Sequence, residues 1–299
     1  MDRSKLNSIV AGELAEPVDP RVTAMATAIA ARYAGAARAV LFYGSCLRER
    51  QLEGLMLDFY LIVSDYRAAF GRSWLAAANR LLPPNVFPFA FEGLAAKYAV
   101  LSEADFAREC GPSARSSSVY ARFAQPARLV WCADEAERGK VGTNVGRAVE
   151  TLLTLTRPAL AGAEAADPLS IWRAAFGFTY GAELRAERSS RPGAIIDADP
   201  NRYRRLAAAV GITDGQPSDA RFRQAARRRW RRTQRRGKRL TLLRLAKASF
   251  TFAGGIDYLA WKINRHAGTN IVPAPWQRRW PLLGALILLP RLLARGAVR

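Results

Sequence analysis

The sequence predicts a domain in which strands and helices are mixed, α/β or α+β, followed by a region that is helical. Three observations carry this expectation. Residues 1–135 alternate short apolar runs with amphipathic ones, whereas from Gly146 onward the apolar spacing is helical, at Val149, Leu152 and Leu153 and again at Ile171, Phe176 and Phe178. Half of the 299 residues are apolar and a tenth aromatic, the composition of a chain that folds around a core. The length suggests two domains at roughly 150 residues each.

The elements follow in order. Asp19-Pro20 opens a helix, because the carboxylate can cap it and proline is pre-set for its first turn. Apolar runs predict strands over 37–43 and 56–64. Asp65 is the N-cap of a helix over 66–82, and further strands are expected over 97–101 and 128–132. Segments 161–166 and 189–200 read as loops, the second punctuated by Pro192, Gly193 and Pro200. The change of pattern falls within 134–146. It divides the chain into a first domain over 1–140, a helical one over 141–272 and a terminal segment over 273–299.

Charge narrows the function. Lys and Arg number 46 against 25 Asp and Glu, a formal charge of +21, and only six of the cations are lysines. Arginine grips phosphate in a bidentate fork, so a phosphate-bearing partner is implied: nucleic acid, nucleotide or anionic lipid; the preference for arginine over lysine, though not the net charge, equally fits a GC-rich genome. Eleven of the basic residues crowd into 221–239, which holds no acid and does not divide into a polar and an apolar face. The single His266 excludes a multi-histidine metal site. Cys46, Cys110 and Cys132 lie far apart without a Cys-x-x-Cys pair, which excludes a zinc ribbon or disulfide framework and favours a reducing compartment. Residues 1–20 have no uninterrupted apolar core and do not read as a secretory signal.

The terminal segment sets Trp276, Arg278, Arg279 and Trp280 before a ten-residue uncharged run, 281–290, with Arg291 and Arg295 beyond it. Ten residues are about half of what a helix needs to cross a bilayer. Two readings fit: a segment lying in the membrane interface, and a core helix packed on its own domain.

One stretch carries chemistry. An apolar strand ends in Tyr43-Gly44-Ser45, and a second, Leu57-Asp58-Phe59-Tyr60, places a carboxylate thirteen positions after the serine. This is the pattern of polymerase-β-type nucleotidyltransferases. Gly44 lets the backbone approach a triphosphate, Ser45 offers a hydroxyl and an N–H, and Asp58 places a carboxylate where Mg²⁺ can bridge it to phosphate oxygens. The superfamily's usual second acid, two positions on, is here Tyr60. Glu92 is the alternative second metal ligand, from a neighbouring strand.

Blocks in the same order over most of the length resemble the mitochondrial translocator-assembly-and-maintenance family of phosphatidate cytidylyltransferases. Tyr43-Gly44-Ser45 is similar to its Tyr-Gly-Ser-Gly, with Cys46 replacing the last glycine. Leu57-Asp58-Phe59-Tyr60 is similar to a block that likewise lacks the second acid. Asn85-Val86-Phe87-Pro88-Phe89 resembles a rearranged Phe-Asn-Pro block, and Lys97-Tyr98-Ala99-Val100-Leu101-Ser102 resembles Lys-Tyr-Gly-Val-Ile-Ser. Tyr120 to Pro126, and Phe178-Thr179-Tyr180-Gly181 with Glu183-Leu184-Arg185, follow. The series closes with Gly255-Ile256-Asp257-Tyr258, Lys262-Ile263-Asn264-Arg265-His266 and Gly268, then Trp276-Gln277-Arg278-Arg279 and Pro281-Leu282-Leu283.

The resemblance implies an α+β polymerase-β-type nucleotidyltransferase domain, a helical winged-helix-like domain and a C-terminal membrane-contacting helix. It implies a distant, bacterial member that joins CTP to phosphatidate, with Mg²⁺ as cofactor, at the cytoplasmic face of the inner membrane. Tyr43, Gly44, Ser45 and Lys97 are then expected to hold the nucleotide, with Asp58 and Lys97 as catalytic residues and Asp58, with Glu92, as metal ligand. Arg122, Lys262 and Arg265 are expected to bind the lipid phosphate or pyrophosphate. The basic run is expected on an anionic membrane surface rather than on nucleic acid. The rivals are a nucleic-acid-binding protein and a catalytically silent nucleotidyltransferase-like adaptor.

Overall fold

Apolar residues alternate along the central strands, so each strand feeds two separate layers of core. In the computed structural model, which describes residues 2–49, 52–71, 74–182, 191–212, 219–251 and 272–276, this alternation builds an α+β fold around one five-stranded mixed sheet. The chain opens with α1 (Arg3–Ala15) and α2 (Pro20–Ala31), then β1 (Ala37–Tyr43), α3 (Ser45–Glu49) and β2 (Met56–Val63). Next come α4 (Tyr66–Phe70), α5 (Trp74–Leu81), β3 (Asn85–Phe91), β4 (Leu94–Ser102), α6 (Glu103–Cys110), α7 (Ser118–Phe123) and β5 (Ala127–Cys132). The helical remainder is α8 (Glu135–Thr156), α9 (Gly162–Ala166), α10 (Pro168–Tyr180), α11 (Arg191–Asp197), α12 (Pro200–Val210) and α13 (Ala220–Thr251).

The strand order is β3-β4-β2-β1-β5, with β2 and β4 parallel and the other neighbours antiparallel. Val22, Met25, Ala26 and Ile29 of α2 cover one face, against Val40, Phe42, Phe59, Leu61 and Val100. The opposite face presents Ala39, Leu41, Tyr43, Tyr60, Ile62, Ala99 and Leu101 to α1, α7, α8 and the helices beyond. Helix α8 runs unbroken across position 140. Its Val141, Val145 and Leu152 share one core with Leu41 of the sheet and with Trp172, Tyr203 and Trp230 of later helices.

Several expectations need revision. The helix expected over 66–82 is two, because Gly71 turns the chain at φ +66° after α4, whose N-cap is indeed Asp65, accepting from the amides of Arg67 and Ala68. Residues 85–91 form a strand despite Pro88, which is tolerated because β3 is an edge strand. The expected loops contain α9 and α11.

The largest difference concerns α13. It does divide into faces: Trp230 and Gly237 are buried, and Ala226, Thr233, Gln234 and Thr241 are half-buried beside them. A Cβ on Gly237 would sit 2.4 Å from the carbonyl oxygen of Ala182, so only glycine allows this approach. The inner stripe is built from small and amide side chains rather than leucine and valine, and apolar periodicity does not detect it.

Candidate functional site

Register places the candidate residues in one row across the sheet. Tyr43 pairs with Asp58, Asp58 with Lys97, and Lys97 with Pro88. All three candidate side chains share a face, since each is two positions from a residue of the core beneath α7 and α8: Tyr43 from Leu41, Asp58 from Tyr60, Lys97 from Ala99. Lys97 Nζ lies 3.1 Å from Asp58 Oδ1, with both side chains about a quarter exposed. Oδ1 itself is shielded and receives no hydrogen bond of normal geometry, so the ammonium provides its compensation by charge.

Directly after β1, Gly44 adopts φ +103°, and a Cβ there would lie 3.1 Å from Asp58 Oδ2. The backbone thus passes close against the carboxylate, which a side chain would prevent. Ser45 follows as the first residue of α3, half-buried. Cys46, which replaces a glycine of the resembled motif, points inward, with its thiol donating to Met56 O at 3.5 Å.

A second cation approaches from above the sheet. Arg122, in the last turn of α7, sets its guanidinium over the Tyr43 ring, 5.2 Å from the centroid, and Nη1 donates to Tyr60 Oη at 3.4 Å. Tyr43 and Tyr60 pack together at 5.4 Å, and both lean on Phe123. Tyr60, two positions after Asp58, therefore helps to hold the Arg122 cation in place. The sequence reading missed this role for Tyr60, although its i+2 spacing from Asp58 already placed it on the same face.

The segment ahead of α7 is tied down as well. Glu109 accepts from the amides of Arg115 and Ser116, while Arg244 of α13 donates to Pro83 O at 2.8 Å and reaches Ser118 Oγ at 3.4 Å. Neither Arg244 nor Lys247, which lies one turn further along and donates to Pro84 O, stood out in the sequence, because both fall beyond the basic run.

Not every expected residue joins this group. Glu92 is not on a strand: it occupies the β3–β4 turn at φ +48° beside Gly93. Three register pairs intervene between it and the Pro88–Lys97 row, four residue steps or about 14 Å at 3.4 Å per residue, so it does not meet Asp58. Lys262 and Arg265 lie outside the described residues, as does the terminal run 281–290. Among the described residues no cluster of three or more His, Cys, Asp or Glu side chains could hold a metal ion. The donor set fits Mg²⁺ only in the form that arrives with a triphosphate, because this cation keeps its waters and needs one or two carboxylates besides phosphate oxygens. Asp58 is the carboxylate that fits.

The site sets a carboxylate against a lysine, with an arginine over the tyrosine of the adjoining strand and a glycine that leaves backbone room. It is suited to neutralising and aligning phosphates. No protein-family model matches this chain, and none of the curated proteins matches it significantly.

Proposed function

We propose that the protein is a Mg²⁺-dependent cytidylyltransferase that condenses CTP with phosphatidate to CDP-diacylglycerol and pyrophosphate. The observation that carries this reading is the Tyr43–Asp58–Lys97 row with Gly44 beside the carboxylate and Arg122 above it. An anionic phosphate oxygen of phosphatidate attacks the α-phosphorus of CTP, a new P–O bond forms, and the bond to the pyrophosphate oxygen breaks in line. The nucleophile arrives ionised, so positioning and charge neutralisation matter more than a general base.

Gly44 and Ser45 leave room for the triphosphate and supply donors to it. Lys97 exchanges its carboxylate partner for phosphate oxygens when the nucleotide binds, and Arg122, held by Tyr43 and Tyr60, faces the entering lipid phosphate. Bound Mg²⁺ would supply further charge neutralisation, with Asp58 as its protein ligand. Lys262 and Arg265 belong to this proposal through the family resemblance alone, as does a peripheral location at the cytoplasmic face of the inner membrane.

A silent adaptor is the second reading. It is favoured by Tyr60 at the second-acid position and by the closed Asp58–Lys97 pair. The two separate with radiolabelled nucleotide, Mg²⁺ and phosphatidate in mixed micelles. The enzyme yields a lipid-soluble labelled product from CTP in preference to the other nucleoside triphosphates, and Asp58→Ala abolishes it. No product with any nucleotide, together with no binding of CTP·Mg²⁺, sinks the enzyme reading.

A further inference from the structure

The outward face of α13 has no role in the site. Opposite the buried Trp230 and Gly237 lies a stripe of exposed residues at helical spacing, Arg221, Arg228, Arg232, Arg235 and Arg239. It spans about 27 Å at 1.5 Å per residue. Arg231, Arg236 and Lys238 flank it, and the helix contains no acidic residue from Ala220 to Thr251. The stripe does not end in charge: Leu242 and Leu243 follow on the same side, 38% and 56% exposed.

We propose that this face is a docking surface for an anionic lipid bilayer. Charge complementarity calls for a polyanion, and a straight row of guanidinium groups matches a plane. The exposed leucines decide between polyanions. Against a phosphodiester backbone two leucines gain nothing, whereas at a bilayer they enter the boundary between headgroups and acyl chains while the arginines engage phosphates. The inward side of the same helix carries Arg244 and Lys247 to the turn that leads into β3, and Arg244 reaches Ser118 at the start of the helix that bears Arg122. Docking through α13 thus fixes how the candidate site meets the lipid surface. This orientation rests on the lipid-substrate reading above; the docking surface itself does not.

The test uses the full chain and sucrose-loaded vesicles of phosphatidylcholine with or without phosphatidylglycerol, sedimented over a range of salt. The wild type is expected to bind acidic vesicles only, with affinity falling as salt rises. Each basic residue near such a surface contributes about 1 kcal/mol, so Arg228→Glu/Arg232→Glu/Arg235→Glu lowers the partition coefficient by roughly 100-fold or more. Leu242→Ser/Leu243→Ser leaves low-salt binding in place but removes the part that survives high salt. Both variants are checked for an unchanged melting curve, which their exposed positions lead us to expect; if the triple variant melts early, the single Arg232→Glu, expected to lose several-fold, takes its place.

Binding unaffected by the arginine changes overturns the proposal, and so does RNA or duplex DNA displacing the protein from vesicles. Cytidylyl transfer to a short-chain phosphatidate dissolved as monomer is measured in parallel. Transfer without stripe-dependent binding refutes the docking surface and spares the enzyme reading. Stripe-dependent binding without transfer does the reverse.

Discussion

The Asp58–Lys97 row and the outer face of α13 both concentrate charge, and they do it in opposite ways. In the sheet, two opposite charges face each other across parallel strands whose register fixes them to within a residue, and a glycine keeps the space beside them open. On α13, charges of one sign repeat along the outer side of a helix that packs, among the described residues, through its inner side. The first arrangement depends on the position of each atom, the second on number and sign. Substitutions should therefore act sharply and locally in the row, and weakly and cumulatively on the stripe.

The largest expected effect breaks the row. Asp58→Asn keeps shape and removes charge, and is expected to lower cytidylyl transfer on the order of 10²-fold or more, as loss of one preorganised charge-stabilising group does. Because the pair is partly solvated, stability should change by about 1 kcal/mol or less. Arg232→Gln should leave transfer to monomeric phosphatidate within about twofold, since a surface change away from the site shifts energies by no more than about 0.5 kcal/mol. Equal losses in the two variants would contradict the contrast.

The next effect contrasts the two sides of α13. Trp230 is 3% exposed, stacks on Phe178 at 5.1 Å and donates from Nε1 to Leu155 O at 3.0 Å. Trp230→Ala is expected to cost about 3–5 kcal/mol in urea unfolding, the range for a buried aromatic. Its exposed neighbour Arg231→Ala should stay within about 0.5 kcal/mol. A small loss at Trp230 would mean that the helix is held some other way.

How much of this was legible in the sequence differs between the same two regions. Strands β1, β2, β4 and β5 were readable because each carries an apolar run of at least four residues beside its one charged position, and β3 was not because Pro88 breaks the pattern that an edge strand can tolerate. Asp58, Lys97 and Arg122 each stood out singly. Their meeting depends on the parallel pairing of β2 with β4 and on α7 lying over the sheet, both non-local, and no local spacing encodes them. The role of Tyr60 shares that origin. On α13 the cations were plain and the inner stripe was hidden, because glycine, glutamine and threonine pack there without an apolar signature.

A smaller effect sharpens the account of Gly44. At φ +103° any side chain is strained, and a Cβ would press on Asp58 Oδ2 at 3.1 Å. Gly44→Ala is expected to cost about 1–3 kcal/mol in stability, typical of a non-glycine residue in that region, with transfer falling alongside. Full activity with unchanged stability would show that the carboxylate has room to move and that the close approach is incidental.

The smallest effect lies where the inner face of α13 meets the sheet, and it is read by pH. Lys247 Nζ donates to the carbonyl oxygens of Leu82 and Pro84, the latter at 2.8 Å. Burial, and then the neighbouring Arg244, push its ammonium down to about 7. In the unfolded chain a lysine titrates near 10.4. Between these values the unfolded chain binds more protons than the folded one, so raising the pH through this window stabilises the fold. Below 7 the cost of burying the charge is present in full. Lys247→Met removes this dependence while keeping bulk. Two carbonyl acceptors and partial exposure oppose the shift, so the stability difference between wild type and variant should move toward the wild type by about 1 kcal/mol from pH 6 to pH 9. Urea unfolding of both proteins at the two pH values measures it. A difference that stays flat would mean that the carbonyl pair keeps Lys247 charged throughout, which would give the inner face of α13 a second half-buried cation beside Arg244.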